Sequence, residues 1–298
     1  MSLKNCYNFD DFRKLAKKKL PAPIFHYIDG GADDEVTLNR NTEAFNDCDL
    51  VPNILNSVGE PDLKTNVFGT TIDMPIFLSP TAMQSLYHPD GDKASARAAE
   101  KFGTIYSMST MASFSIEEVS NLSSGPKIFQ LYIHKDQSIM NYMNEQFEPK
   151  MNWSDAEYCI KKWGGPFALK GVMSVEDAKR AIDIGCTAII ISNHGGRQLD
   201  GSRSPFDQLA EIVDAVGDKL DVICEGGIHR GTHMLKALSL GAKACSGGRL
   251  YLYALAAAGQ AGVERALNQY KTELQRDMKL MGCTKISDLN RSNLRFRG

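Results

Sequence analysis

No two cysteines of this chain are spaced as CxxC, and the seven present, Cys6, Cys48, Cys159, Cys186, Cys224, Cys245 and Cys283, are odd in number. That pattern argues against a zinc ribbon, a redox dithiol or a disulfide framework and reads as reduced, mostly buried thiols. An excess of positive charge is also missing. Thirty-four Lys and Arg stand against 36 Asp and Glu, a net charge of -2 with a pI of about 6.3, and the lysines are scattered except at Lys17, Lys18 and Lys19. Nothing there forms an electrostatic footprint for a phosphate backbone, so no nucleic-acid partner is expected. No apolar run approaches the roughly 18 residues that span a bilayer, and the opening MSLKNCYNFDDF has no signal-peptide core. A cytoplasmic location is the default expectation. Peripheral contact with the inner membrane stays open, because a surface patch needs no spanning segment. Low-complexity and Pro/Gly-rich stretches are absent as well, which leaves no evident linker; residues 1–298 are expected to form one domain.

What is present is alternation. Short apolar runs occur at 74–79, 104–108, 127–132, 166–170, 187–192, 221–225 and 242–246, and they read as buried parallel strands. Helix signals lie between them: DKASARAAEKFG stops at Gly103, and SVEDAKRAIDIG can be capped by Ser174 and ended by Gly185. Such alternation with short connections predicts an α/β barrel or a doubly wound sheet. Helices within 9–35 and a long one over 259–281 fall outside the alternation and are expected to pack around it. The spacing breaks once. Between Tyr132 and Phe167 there is material for one or two helices but no β-branched apolar run, so the count is seven strands, not eight.

Candidate chemistry clusters where these strands end. Glu225-Gly226-Gly227 and Gly247-Gly248-Arg249 close the last two strands. Glycine turns at barrel strand ends let backbone N–H groups approach an anion, and Arg249 can donate in bidentate fashion with Arg230 assisting. Plain tight turns are the competing explanation. Ser192-Asn193-His194-Gly195-Gly196-Arg197 follows another strand, where a histidine suits proton abstraction and an arginine suits a carboxylate. A structural turn with a satisfied histidine would look the same. Lys170 ends its strand, and three roles are open: a Schiff base with a carbonyl substrate, a positive charge beside an electron-accepting cofactor, or a side chain reaching solvent. Tyr132 closes its strand with Gln130 on the same face, while Tyr27 is a further hydroxyl; ordinary core tyrosines would fit equally. His229 and His233 sit four apart at a helix start, yet no carboxylate or thiol completes a shell, so no metal is expected.

Together these segments resemble the FMN-dependent L-2-hydroxy-acid dehydrogenases and oxidases. The likeness runs through KKLPAPIFHYIDGGADDEVTL, MPIFLSPTAMQ, SMSTMASFSIEEV, FQLYIHKD, ALKGVMSVEDA, ISNHGGRQLD, GGIHRGTHMLKALSLGA and GRLYLYALAAAGQAGVERAL, the last closest to the respiratory L-lactate dehydrogenases of bacteria. The resemblance implies a (β/α)₈ barrel that lacks its fourth strand-helix unit, with helices packed outside. It implies FMN held near Pro80, Thr81, Ala82, Ser109, Gln130, Lys170 and Ser192, and its phosphate on the turns of Glu225, Gly226, Gly227, His229, Gly248 and Arg249. By the same likeness His194 is the base, Arg197 binds the substrate carboxylate, Tyr27 and Tyr132 position carboxylate and hydroxyl, and Lys170 stabilises the reduced ring. A small L-2-hydroxy acid, lactate first, would be the substrate, because Met111 leaves a flexible apolar wall. Quinone, cytochrome or oxygen would take the electrons, and a homo-oligomer is implied.

The chain departs from the family where a strand ending in Thr-Val-Asp and an arginine-bearing loop should follow FQLYIHKDQ. The excision is expected near Gln137-Ser138. The missing aspartate would orient the histidine, so a weakened base is expected, with an inactive barrel remnant or a Schiff-base lyase as the alternative readings. Glu225 for aspartate and His229 for arginine are smaller departures, expected to weaken FMN retention.

Overall fold

Seven apolar runs become seven short strands: β1 (Ile76–Leu78), β2 (Tyr106–Ser109), β3 (Lys127–Gln130), β4 (Ala168–Lys170), β5 (Ala188–Ile191), β6 (Asp221–Glu225) and β7 (Ala244–Gly247). In the computed structural model, which describes residues 2–133 and 150–297, they form one sheet in the order β3-β2-β1-β7-β6-β5-β4. Every pairing in it is parallel. The expected excision near Gln137-Ser138 lies outside the described residues.

The two edges of this sheet, β3 and β4, are consecutive strands among the described residues. In a closed barrel a further strand would pair with both, so the sheet is a barrel opened at the place of the absent unit. Burial follows the same geometry. All residues of β1, β2, β5 and β7 are buried, while none of β3 or β4 is.

Polar caps set where the helices begin. The Ser115 hydroxyl accepts from the Glu118 N–H and the Glu118 carboxylate from the Ser115 N–H, starting the Ile116–Leu122 helix. Ser174 and Ser204 accept from the N–H groups of Asp177 and Asp207 and start Val175–Asp183 and Pro205–Val216. Outside the alternation lie Phe9–Lys19, Ala22–Asp29 and Val36–Glu43, as the sequence leads one to expect. The last helical run, Arg249–Met281, is two helices joined across a break at Ala258 and Gly259.

Two apolar cores hold the sheet. The larger joins its helix-facing side to the surrounding helices. The smaller lies inside the curl, where Phe77, Ile190, Ile223 and Ala244 meet Val67 and Ile72 from the hairpin Thr65–Val67/Thr70–Ile72. Each fully buried Ile, Val or Phe stabilises by about 1.5–3 kcal/mol, so the hairpin is firmly seated. Its Phe68 N–H donates to Asp221 at the start of β6 and the Thr65 hydroxyl to the Lys243 carbonyl ahead of β7. The hairpin therefore stops the amino ends of the strands and leaves the carboxyl ends open.

Candidate functional site

A cavity of about 2660 Å³ opens at the carboxyl ends of the strands and continues along the open side of the sheet to Lys127 and Phe167; the expected catalytic, substrate-binding and cofactor-binding residues line it, whereas Arg230 and His233 do not. Ligand pockets commonly measure about 300–1,000 Å³. The excess reflects the open side of the sheet, because Phe129 and Leu131 beyond one edge and Tyr158 and Trp163 beyond the other line the same space.

Its floor is a buried carboxylate. Glu225, at the end of β6, accepts from Ser79 (2.6 Å) and Ser246 (3.0 Å) on one oxygen and from Ser192 (2.8 Å) on the other. The Lys170 ammonium lies 2.7 Å from that second oxygen. Burial alone would raise the carboxyl, but the charge and hydrogen bond of Lys170, with those of Ser79 and Ser192, hold it down at about 2. Lys170 is thus turned into the cavity and paired there with Glu225, with 17% of its side chain exposed, an arrangement that favours a charged group beside a cofactor over a side chain reaching out to solvent.

His194 stands above this pair in a left-handed backbone conformation, φ 57°, with its N–H on the Ser192 hydroxyl at 3.1 Å. Its imidazole faces the cavity. Dehydration by the cavity walls, then the positive charges of Lys170, Arg197 and Arg249, outweigh the pull of Glu225 and lower it to about 4. Among the described residues no carboxylate is hydrogen-bonded to the ring.

The His194 loop is clamped from the N-terminal helices. Asn193 and Asn41 exchange a reciprocal amide pair at 2.9 and 2.7 Å, and the Asp200 carboxylate accepts from the Thr37 N–H at 2.8 Å at the start of Val36–Glu43. The sequence motifs did not mark Asn41 or Ser246; Ser79 and Asp200 lay within MPIFLSPTAMQ and ISNHGGRQLD without an assigned role, and the use of Asp200 as a cap for a distant helix needs the tertiary fold.

The two arginines behave differently from each other. Arg197 stacks over the Tyr27 ring at 4.8 Å, and its Nη1 donates to the carbonyls of Tyr27 and Gly30. Its Nε and Nη2 have no protein partner among the described residues, which leaves one edge of the guanidinium for a carboxylate. Arg249, expected to grip a phosphate, instead spends Nε, Nη1 and Nη2 on the carbonyls of Ile28, Gly195 and Gly30, at 2.6, 2.8 and 2.6 Å. The reason is local: the end of Ala22–Asp29 presents unpaired carbonyls beside it. Arg230 likewise turns to Glu273 at 3.3 Å.

Three further expectations are adjusted. Strand β3 ends at Gln130, so Tyr132 lies two residues past it, its N–H on the Thr110 hydroxyl at 2.9 Å. His229 precedes the helix Gly231–Ser239 and stacks face to face on Phe9 at 3.5 Å, burial lowering it to about 3. His229 also lines the cavity, His233 stacks on Phe45 at 4.4 Å with its Nδ1 3.0 Å from the Gly227 carbonyl, and no group of metal-binding side chains occurs among the described residues. The glycine turns are built for close approach: a Cβ on Gly227 (φ 69°) would stand 1.9 Å from the Asn41 carbonyl oxygen. Ser109 keeps its hydroxyl on the Met111 N–H at 3.1 Å, and Pro80, Thr81 and Ala82 form the turn after β1.

Comparison with known proteins agrees with this geometry. The family described as FMN-dependent dehydrogenase matches residues 16–143 and 137–296, two runs that meet where the spacing breaks. Glycolate oxidase 1 of Oryza sativa is 33% identical over 350 aligned positions, covering 96% of this chain and 95% of that protein. Since the chain has 298 residues, at least 52 of those positions (350 less 298) have no counterpart in it. Among solved structures, the flavin-binding domain of flavocytochrome b2 from baker's yeast superposes with a TM-score of 0.93 at 33% identity, over 98% of this chain and 87% of that one. A soluble mutant of the membrane-associated (S)-mandelate dehydrogenase from Pseudomonas putida gives 0.92 at 31%, over 98% and 100%.

Proposed function

This chain belongs to the FMN-dependent dehydrogenase family, and from that premise we propose that it oxidises a small L-2-hydroxy acid, L-lactate first, to the 2-oxo acid, at a rate well below that of a closed barrel. The observation that carries the proposal is the meeting, in one cavity, of the His194 imidazole, an arginine with a free guanidinium edge and a lysine-carboxylate floor.

The residues present fit the cofactor. Lys170, Ser192, Gln130 and Ser109 offer polar groups around a ring-sized space, and the Ser107 hydroxyl is buried there without a partner among the described residues. The Gly227 and Gly248 turns supply backbone to a phosphate, and Arg249 braces the carbonyls of Ile28, Gly195 and Gly30 with three of its five N–H groups while lining the same cavity. When bound, FMN supplies the two-electron acceptor.

The chain's own residues then divide the remaining work. Arg197 takes the substrate carboxylate on Nε and Nη2, an arrangement suited to two parallel hydrogen bonds. Tyr27, stacked beneath the guanidinium, and Tyr132 line the same region and orient the hydroxy acid. His194, neutral near pH 7, accepts a proton as the alcohol loses two electrons and two protons. Glu225 holds Lys170 in place at 2.7 Å, next to the space for the electron acceptor. Met111 supplies the apolar wall toward the substrate's side chain.

The slow rate follows from His194. An imidazole surrounded by three cations, with no carboxylate hydrogen-bonded to it among the described residues, is easily kept neutral but stabilises a gained proton poorly. The electron acceptor, a quinone, a cytochrome or oxygen, and assembly into a homo-oligomer with peripheral membrane contact from a cytoplasmic location, are carried as part of the same proposal.

Anaerobic rapid mixing of the FMN-loaded protein with L-lactate, D-lactate, glycolate and L-mandelate tests the substrate assignment. Flavin reduction by L-lactate, faster than by the other three, supports it. Faster reduction by glycolate or mandelate would move the substrate, and reduction by none would make the chain an inactive barrel.

A further inference from the structure

Beneath the turn that follows β1 runs a buried chain of hydrogen bonds that the site described above does not use. Asp92, fully buried at the start of the helix Gly91–Lys101, accepts from the Tyr106 hydroxyl at 2.6 Å and from the Ser113 N–H at 3.0 Å. The Tyr106 oxygen in turn accepts from Gln84 Nε2 at 3.1 Å. The Ser95 hydroxyl donates to Gln84 Oε1 at 2.7 Å, which fixes the orientation of that amide, and Nε2 also reaches the Tyr251 hydroxyl at 3.2 Å. Tyr251, completely buried, lies 2.9 Å from the Ser79 carbonyl oxygen and in short contact with the Thr81 hydroxyl.

A count of protons gives these contacts a direction. The Ser79 carbonyl can only accept and the Gln84 amide nitrogen can only donate. Tyr251 has one proton, and it goes to Ser79. The Tyr251 oxygen therefore accepts from both Gln84 and Thr81. Thr81 has then given its only proton to the protein interior and keeps lone pairs alone for the cavity it lines. Its methyl lies beside Gly248, where an added Cβ would come within 3.0 Å of Cγ2.

The geometry points to Tyr251 as a positioning residue that turns Thr81 into a hydrogen-bond acceptor facing the flavin, an inference that rests on the FMN reading of the cavity. A reduced flavin ring carries an N–H where the oxidised ring has a bare nitrogen, so a pure acceptor at Thr81 favours the reduced form. Removing the Tyr251 hydroxyl frees the Thr81 proton to point into the cavity and cancels that preference.

The test measures FMN affinity by quenching of flavin fluorescence, and the two-electron midpoint potential of the bound FMN against a reference dye, in six proteins. These are the unsubstituted chain, Tyr251→Phe, Thr81→Val, their double variant, Thr81→Ser and a control, Tyr270→Phe. Tyr251→Phe and Thr81→Val are each expected to lower the ratio of reduced-form to oxidised-form affinity about tenfold, which is about 30 mV for two electrons. The double variant should shift no further than either single one, and Thr81→Ser, which keeps the hydroxyl, should stay at the starting potential. Tyr270→Phe, a buried tyrosine away from the cavity, provides a control that should leave the potential unmoved. Unchanged potentials in both single variants, with FMN still bound, would overturn the role of Tyr251, as would additive shifts in the double variant. Failure of the unsubstituted chain to bind FMN would overturn the FMN reading itself, and this inference with it.

Discussion

Replacing Glu225 with glutamine keeps the side-chain length and removes the charge, so it isolates the ion pair at the floor of the cavity. Burial would raise the carboxyl above its ordinary 4.5, but the charge and hydrogen bond of Lys170, with the hydroxyls of Ser79 and Ser192, outweigh it and hold the carboxyl at about 2, and that depression gives the ion pair a share in folding stability. A depressed carboxylate contributes fully above its unfolded value, so this share is intact above about pH 4.5 and is lost as pH falls toward 2. Glutamine also leaves the Lys170 ammonium, only 17% exposed, without a counter-charge. Breaking a buried pair from one side costs about 3–5 kcal/mol, whereas removing both partners is far milder. Urea unfolding at pH 7 should therefore show Glu225→Gln destabilised by about 3–5 kcal/mol, and Lys170→Met/Glu225→Gln recovering most of that loss. Between pH 4.5 and 3 the gap between the unsubstituted chain and Glu225→Gln should narrow. A substitution that costs less than about 1 kcal/mol, or a gap indifferent to pH, would refute the reasoning.

Other expectations follow from the same geometry. His229 and His233 are held neutral by burial, at about 3 and about 4, so the native state binds fewer protons than the unfolded chain below pH 6.5. Stability should fall as pH drops from 6.5 toward 4, and His233→Phe should flatten that slope in urea titrations by close to one proton. Because His194 must be neutral to act, the rate of flavin reduction should hold steady from pH 8 down to about 5 and decline only toward pH 4. A limb near pH 6.5 in stopped-flow traces would contradict the cationic surroundings assigned to it. Gly227→Ala places a Cβ against the Asn41 carbonyl at a positive φ, and should cost about 2 kcal/mol or more in thermal or urea unfolding, with FMN affinity falling in parallel.

The strands and their parallel order were legible because an α/β sheet buried on both faces writes itself as short apolar runs, and all seven runs became strands. The missing unit was legible for the same reason, as an interval with no such run. What tertiary contact decides could not be read. Arg249 carries the same letters whether it grips an anion or braces the helix end at Ile28 and Gly30, and only the fold brings those carbonyls within 2.6 Å. Tyr132 was assigned to the end of a strand by its apolar company, yet β3 stops at Gln130, where the chain leaves the last pairing of an open edge. Glu225 was read as part of a phosphate-binding turn and as a departure from aspartate. Its place as the acceptor for three serine hydroxyls and a lysine depends on four strand ends converging, which no local pattern records.

The most direct test of the central claim, that the open seven-stranded sheet still builds a working FMN hydroxy-acid site around His194, is the anaerobic visible spectrum of the protein reconstituted with FMN, recorded before and after L-lactate. The account predicts bound flavin that bleaches slowly on addition of L-lactate, and His194→Gln protein that binds FMN equally but bleaches at least a hundredfold more slowly, in keeping with the usual ~10²–10⁴-fold contribution of a general base. Protein that retains no flavin, or bleaching that proceeds unchanged without His194, would contradict it.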